Sequence, residues 1–148
     1  MVRLLAALLL LIAAPASAQE SEAPGWLLGS WRGAGTMFGR PSEATLTIEP
    51  TMAGFALDYR AGAFAGQAAY RALGGGRWQA EWTDNRGTSL SIEAVEAGPM
   101  LTAEWSGAER GRTVYRLAED GRLHVTDSVA RPDGSFRDFA GHVLTRAD

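Results

Sequence analysis

The chain has 148 residues, no cysteine, and 17 acidic against 14 basic residues, which gives a formal net charge of −3. Without cysteine, disulfide bridges and thiolate-ligated metal sites are excluded, so an apolar core must stabilise the fold alone. Every basic residue is an arginine, and the arginines are scattered singly along the chain. This distribution argues against a nucleic-acid-binding groove, and we expect no nucleic-acid partner.

Residues 1–18 have the pattern of a secretory signal peptide. Arg3 supplies the positive charge, an apolar stretch follows, and Ala16-Ser17-Ala18 provides the small-residue cleavage site. The apolar stretch is too short to span a bilayer core of about 30 Å, and no later run is longer, so we expect no permanent membrane anchor. The pattern predicts a periplasmic or secreted protein with a short linker over 19–24 and one domain over 25–148.

The rest of the chain alternates apolar and polar residues with a period of two, and turn-forming residues recur about every 8 to 12 residues. The predicted strands are Trp31–Phe38, Glu43–Glu49, Phe55–Arg60, Ala63–Leu73, Arg77–Thr83, Thr88–Val95, Met100–Ser106, Arg112–Ala118, Arg122–Ala130 and Phe136–Arg146. No long segment has a helical period, so parallel strands with crossover helices are not expected. We predict an all-β fold, a single antiparallel up-and-down barrel of about ten strands, because closure removes the exposed sheet edges.

Two tryptophans mark the beginning of this domain. The segment from Gly25 to Gly35 contains Trp26 and Trp31 among several glycines. It predicts a short N-terminal helical plug that runs directly into the first strand. Both tryptophans are expected to be structural, since an indole buries a large apolar area and can close one end of a small barrel.

The composition of the third to fifth strands bears on what the barrel encloses. Alanine and glycine are frequent there on both faces, which favours a cavity in a ten-stranded barrel. The alternative is a filled lumen in which large aromatic side chains pack against the alanines. The aromatic candidates for ligand binding are Tyr59, Tyr70, Trp78, Trp82 and Trp105. If the tryptophans face inward they form a wall for a planar or acyl ligand, and if they face outward they form a patch for another protein.

The segment Leu27-Leu28-Gly29-Ser30-Trp31-Arg32-Gly33-Ala34-Gly35 resembles the opening of lipocalin-like (calycin) β-barrels. In particular it is similar to nitrobindin-type haem-binding barrels and related bacterial domains, which have ten antiparallel strands. The resemblance implies that an arginine of the last strand, Arg146 or alternatively Arg137, lies across Trp31 in a cation–π contact. It also implies haem as one possible cofactor, bound through a histidine near the chain end, for which His142 is the candidate.

Strand alternation would place His142 on the same face as Ala140, Asp138 and Phe136. Asp138 is nevertheless too far along the strand from His142, by about 13 Å, to form a catalytic dyad. A mixed site of His124, Asp127 and His142 offers few metal ligands, and we expect no metal site.

Two functions remain from different classes. The first is an exported barrel that binds a small apolar or planar ligand, such as haem or a lipid, without catalysis. The second is a periplasmic protein-interaction or inhibitor module with a filled barrel. An open apolar lumen would favour the first function, and a packed lumen with exposed tryptophans the second. Nothing in the sequence specifies an oligomeric state.

Overall fold

Residues 23–147, which the computed structural model describes, form a closed barrel of ten antiparallel strands. The strands are β1 (Gly29–Met37), β2 (Arg40–Pro50), β3 (Gly54–Ala61), β4 (Phe64–Gly74), β5 (Arg77–Asp84), β6 (Ser89–Glu96), β7 (Met100–Gly107), β8 (Arg110–Leu117), β9 (Leu123–Ala130) and β10 (Phe136–Arg146). β1 pairs with both β2 and β10, which closes the sheet. The predicted ten-stranded all-β barrel is therefore confirmed, with strand ends within three residues of those observed.

The predicted signal peptide and residues 19–22 of the predicted linker lie outside the described residues. Within residues 23–147, no helix is long and apolar enough to cross a membrane.

Alternation of side chains produces the two faces of the barrel. In β3, for example, Leu57 and Tyr59 are buried in the lumen, whereas Arg60 between Tyr59 and Ala61 is exposed. Each strand is joined to the next by a short turn, so the barrel has two distinct ends. We call the end where β1 begins and β10 ends the capped end, and the opposite end, where β1 ends and β10 begins, the mouth.

The N-terminal segment at the capped end is a turn and not the predicted helical plug. Residues 25–27 form this turn, and the amides of Leu27 and Leu28 both donate to the Pro24 carbonyl oxygen. The segment is too short to extend into a helix, because the chain enters β1 directly at Gly29. Gly29 has a φ of 118°, a conformation that L side chains rarely adopt. The turn still closes the barrel, since Leu27 is fully buried.

One irregularity in β10 changes which face its residues occupy. The register with β9 shifts between Asp138 and Ala140, so Phe139 is an unpaired bulge residue. As a result Asp138 lies on the outer face, where its Oδ1 accepts a hydrogen bond from Ser128 Oγ at 2.5 Å. Ala140 and His142 are buried on the lumen side. The expectation that Asp138 and Phe136 share a face with His142 is therefore wrong, because the bulge reverses the alternation.

Candidate ligand site in the barrel lumen

The capped end is closed by interactions of both expected structural tryptophans. The Trp31 indole is buried and its Nε1 donates to the Leu27 carbonyl oxygen at 2.9 Å. The Trp26 indole is half-buried and donates to Glu96 Oε1 at 2.9 Å. The Arg146 guanidinium lies 4.3 Å from the centroid of the Trp31 ring, so the contact that the resemblance implied is present. These contacts and the buried Leu27 side chain close the barrel at this end.

The capped half of the lumen is filled by a layer of aromatic side chains. The Phe55 ring stacks on Tyr70, with centroids 4.4 Å apart, and meets the edge of Trp78 at 4.9 Å. Tyr115 is buried in the same layer, close enough to Tyr70 for the two phenols to influence each other's pKa. Burial raises the pKa of both phenols, so both stay neutral. Two of the predicted ligand-binding residues, Tyr70 and Trp78, therefore belong to a packed core layer.

The half of the lumen nearer the mouth contains a buried histidine without partners. His142 is 2% exposed, and neither of its ring nitrogens has a hydrogen-bond partner among the described residues. Burial lowers the pKa of His142, so its imidazole is neutral at pH 7. Its neighbour on β1 is Gly35, where an added Cβ would collide with the Gly141 carbonyl oxygen. The β1 backbone therefore lies close to the β10 backbone at His142. Because Gly35 has no side chain, the His142 imidazole is the side chain of this pair that projects into the lumen.

Tyr59 lies beside His142, with ring centroids 6.5 Å apart and the rings edge to face. Its hydroxyl is buried and likewise lacks a hydrogen-bond partner. Burial, assisted by the nearby Asp127 carboxylate, raises the pKa of Tyr59 well above its usual value. Tyr59 thus remains a neutral phenol that can donate one hydrogen bond.

Asp127 is the one carboxylate on the lumen face of β9, after Leu123 and Val125. Its Oδ1 accepts a hydrogen bond from Thr113 Oγ1 at 2.6 Å, and no ion pair is formed with it among the described residues. Burial raises the pKa of Asp127 to about 6, because only the Thr113 hydroxyl opposes the loss of hydration. Asp127, Tyr59 and His142 together form what we call the polar lumen site.

The two remaining tryptophans surround the mouth side of the lumen. Trp82 lies across Gly66, where an added Cβ would collide with its ring, and stacks with Phe64 at 6.2 Å. Trp105 covers Gly111 in the same way. Both indoles are half-buried. Four strand residues, about 13 Å, separate Trp82 from Trp78, so the three tryptophans do not form one continuous wall.

Two concavities of the described residues lie outside the lumen. One, of about 230 Å³, lies near the mouth and includes Asp58, Arg60 and Asn85. The other, of about 250 Å³, is lined mainly by outward side chains such as Glu93 and Glu104. In the capped half, the packed rings of Phe55, Tyr70 and Trp78 occupy the space that the alanines leave, so the expected open cavity does not extend there.

The histidines do not combine into a metal site. His124 alternates with the buried Leu123 and Val125 and faces away from the lumen, whereas His142 faces into it. Among residues 23–147, no three histidine, aspartate or glutamate side chains come together as ligands.

Sequence reasoning considered Asp127 only as a metal ligand and missed its place in the lumen. A usable indication was present: Asp127 is the single acidic residue in an inward series of Leu123, Val125 and Val129. A charge that interrupts an apolar face with period two deserves scrutiny as a site residue.

Comparison with known proteins supports the fold alone. No family model and no curated protein matches the chain. Among solved structures the chain is similar to Rv2717c from M. tuberculosis, with a TM-score of 0.62 and 18% sequence identity. The match covers 84% of this chain and 94% of that one. At this identity the likeness indicates a shared barrel architecture.

Proposed function

We propose that this chain is an exported barrel that binds a small apolar or planar ligand through the polar lumen site, without catalysis. The observation that carries the proposal is His142, buried with both ring nitrogens unpartnered beside the unpartnered Tyr59 hydroxyl. Buried polar groups are nearly always hydrogen-bonded, and each exception costs about 1–3 kcal/mol. A ligand with a polar or metal centre would satisfy these groups, and its apolar body would contact Trp82 and Phe64.

Ferric haem is a planar ligand whose requirements fit His142. The imidazole is neutral because burial lowers its pKa, and a neutral imidazole nitrogen is a common axial ligand of haem iron. The neighbouring positions, Ala140 and Gly141, carry little or no side chain. When bound, haem supplies an iron centre; His142 would hold it, and Tyr59 would offer a hydrogen bond nearby.

Titration of the purified protein with ferric haem tests this ligand. We expect a shifted Soret band that is lost in His142→Ala and retained in His124→Ala, the matched control on the outer face. A shift that persists in His142→Ala would exclude His142 as the ligand. Native mass spectrometry of the protein as isolated extends the test to other ligands: the absence of both a Soret shift and any co-isolated small molecule would contradict the binding function.

The second candidate is an interaction or inhibitor module with a filled barrel. It is favoured by the packing of Phe55, Tyr70 and Trp78 in the capped half of the lumen. The same two measurements separate the candidates, since a filled module binds neither haem nor another small molecule in its lumen.

Export is the part of the proposal that rests on sequence. Arg3, the apolar stretch after it and Ala16-Ser17-Ala18 support cleavage after Ala18. Mass analysis of the protein recovered from the periplasm or medium is expected to give a chain that begins at Gln19. A recovered chain that retains Met1 would contradict cleavage.

A further inference from the structure

The turn between β1 and β2 holds an aromatic side chain where folding does not favour one. Phe38 and Gly39 have φ values of 50° and 73°, and Phe38 is the sole non-glycine residue with positive φ among residues 23–147. Two-residue hairpin turns of this kind prefer Asn-Gly, because a bulky L side chain is strained there. Phe38 is also 73% exposed. A large apolar side chain thus occupies a strained backbone position and remains mostly in water.

Phe38 is held in a fixed position at the rim of the mouth. Its ring stacks on that of Phe139, with centroids 5.2 Å apart and planes inclined by 16°. Its amide donates to the Phe139 carbonyl oxygen at 2.7 Å. Phe139 is the bulge residue of β10, so the bulge presents this second ring to Phe38. The two rings form a paired apolar projection, which we call the rim pair.

The rim pair is surrounded by an excess of positive charge. Two arginines near the mouth are neutralised by ion pairs, Arg60 with Asp58 and Arg86 with Asp84. Arg112 lies directly opposite the exposed Glu104 in the β7–β8 pair. The other arginines at this end are Arg40, Arg110, Arg131 and Arg137, and the other outward carboxylates there are Glu109, Asp133 and Asp138. Four arginines therefore remain against three carboxylates at the mouth, an excess of one positive charge, although the whole chain has a net charge of −3.

Phe38 is exposed and Phe139 is half-buried beneath it. An exposed aromatic ring beside arginines is typical of a surface that binds anionic lipid. Phenylalanine enters the boundary between headgroups and acyl chains, and guanidinium groups bind lipid phosphates. A specific protein partner would instead need a larger contiguous apolar patch than two rings provide. We propose that the mouth docks on an anionic phospholipid bilayer, with Phe38 and Phe139 entering the headgroup region and Arg40 and Arg137 binding phosphates. This docking shares the mouth with the proposed ligand site but does not require a ligand.

Co-sedimentation with vesicles tests the docking. The probes are phosphatidylcholine vesicles with and without phosphatidylglycerol, mixed with the purified protein at increasing salt. We expect binding to the phosphatidylglycerol vesicles that weakens as salt screens the arginines. Phe38→Asn should reduce the affinity at least about tenfold, since one buried phenylalanine is lost from the bilayer. Arg40→Gln combined with Arg137→Gln should abolish the preference for anionic vesicles.

Three controls make the result specific. Asn tolerates the backbone of position 38 better than Phe, so loss of binding in Phe38→Asn cannot be attributed to unfolding. Phe38→Trp should retain binding, and Met52→Asn, a fully exposed apolar position at the capped end, should not change it. His142→Ala should bind vesicles normally, which separates docking from ligand binding. A wild-type protein that does not bind anionic vesicles, or a Phe38→Asn variant that binds them equally well, would overturn the proposal.

Discussion

The guanidinium of Arg146 and the indole of Trp31 join the two ends of the barrel chain. The guanidinium lies 4.3 Å from the ring centroid, and its two terminal nitrogens donate to the carbonyl oxygens of Leu28 at 2.7 Å and Trp26 at 3.2 Å. Gly29 leaves room for this arrangement, because an added Cβ there would lie 2.8 Å from Arg146 Nη1. The last strand therefore fixes the turn that closes the capped end.

Replacing Arg146 with alanine should destabilise the capped end. The change removes a cation–π contact and two hydrogen bonds to backbone oxygens, together worth about 1–2 kcal/mol at an exposed position. Thermal unfolding followed by circular dichroism measures the loss. Arg122→Ala, which removes an exposed ion pair with Asp120, is the matched control and should change stability little. An Arg146→Ala variant that melts with the wild type would contradict the role of Arg146.

Much of the fold follows from local sequence patterns, and the exceptions have physical causes. The strand Phe136–Arg146 was predicted at both ends, because alternation and the turn residues Pro132 to Gly134 define it. The bulge at Phe139 is missed by the strand prediction, although Arg137-Asp138 followed by Phe139-Ala140 breaks the alternation of polar and apolar residues at this point. The helical plug was expected because a single turn and the first turn of a helix have similar sequence preferences. The segment over residues 25–27 stays a single turn because β1 begins at Gly29.

Because β1 and β10 approach closely, alanine should be tolerated very differently at Gly35 and at Gly141. At Gly35 an added Cβ would collide with the Gly141 carbonyl oxygen, whereas at Gly141 no atom lies within 4 Å of the added Cβ. Gly35→Ala should therefore destabilise the fold by about 3 kcal/mol, because backbone atoms cannot move aside cheaply. Gly141→Ala should be nearly neutral. Urea unfolding of both variants gives the comparison, and equal midpoints would refute the close packing.

The sequence alone did not define the candidate site as well as it did the fold. Tyr59, Trp82 and His142 were named for ligand binding and lie in the mouth half of the lumen. Tyr70 and Trp78 were also predicted to bind ligand, but they lie in the packed aromatic layer of the capped half. Alternation tells which side chains point inward, but the stagger of the strands around a closed barrel decides which of them meet. That stagger depends on pairing across the whole sheet, so it is not encoded in any one strand.

Two buried tryptophans should respond differently to replacement by phenylalanine. Trp31 Nε1 donates to Leu27 O, whereas Trp78 Nε1 is buried without a partner. Trp31→Phe loses a hydrogen bond and leaves the Leu27 carbonyl unpaired, while Trp78→Phe removes an unsatisfied donor. We expect Trp31→Phe to be the less stable variant by about 1–2 kcal/mol in chemical denaturation. The opposite order would show that the Trp78 indole has a partner in solution.

Asp127→Asn should make the protein more stable above pH 6 and remove a pH dependence. Burial raises the pKa of Asp127 from 3.8 to about 6, so the folded state binds a proton more tightly than the unfolded state does. Wild-type stability should therefore fall as pH rises from about 4 to 6, by up to about 3 kcal/mol, and stay low above that range. Asparagine keeps an oxygen for the Thr113 hydroxyl and carries no charge.

The measurement is urea unfolding of both proteins between pH 4 and 8. The variant is expected to match the wild type near pH 4, where the wild-type carboxyl is protonated, and to exceed it from pH 6 upward. His142 works in the opposite direction, because its lowered pKa makes stability rise with pH up to about 6.5, so the contribution of Asp127 is read from the difference between the two proteins. A difference that does not change with pH would mean that the Asp127 carboxyl is hydrated and not enclosed in the lumen.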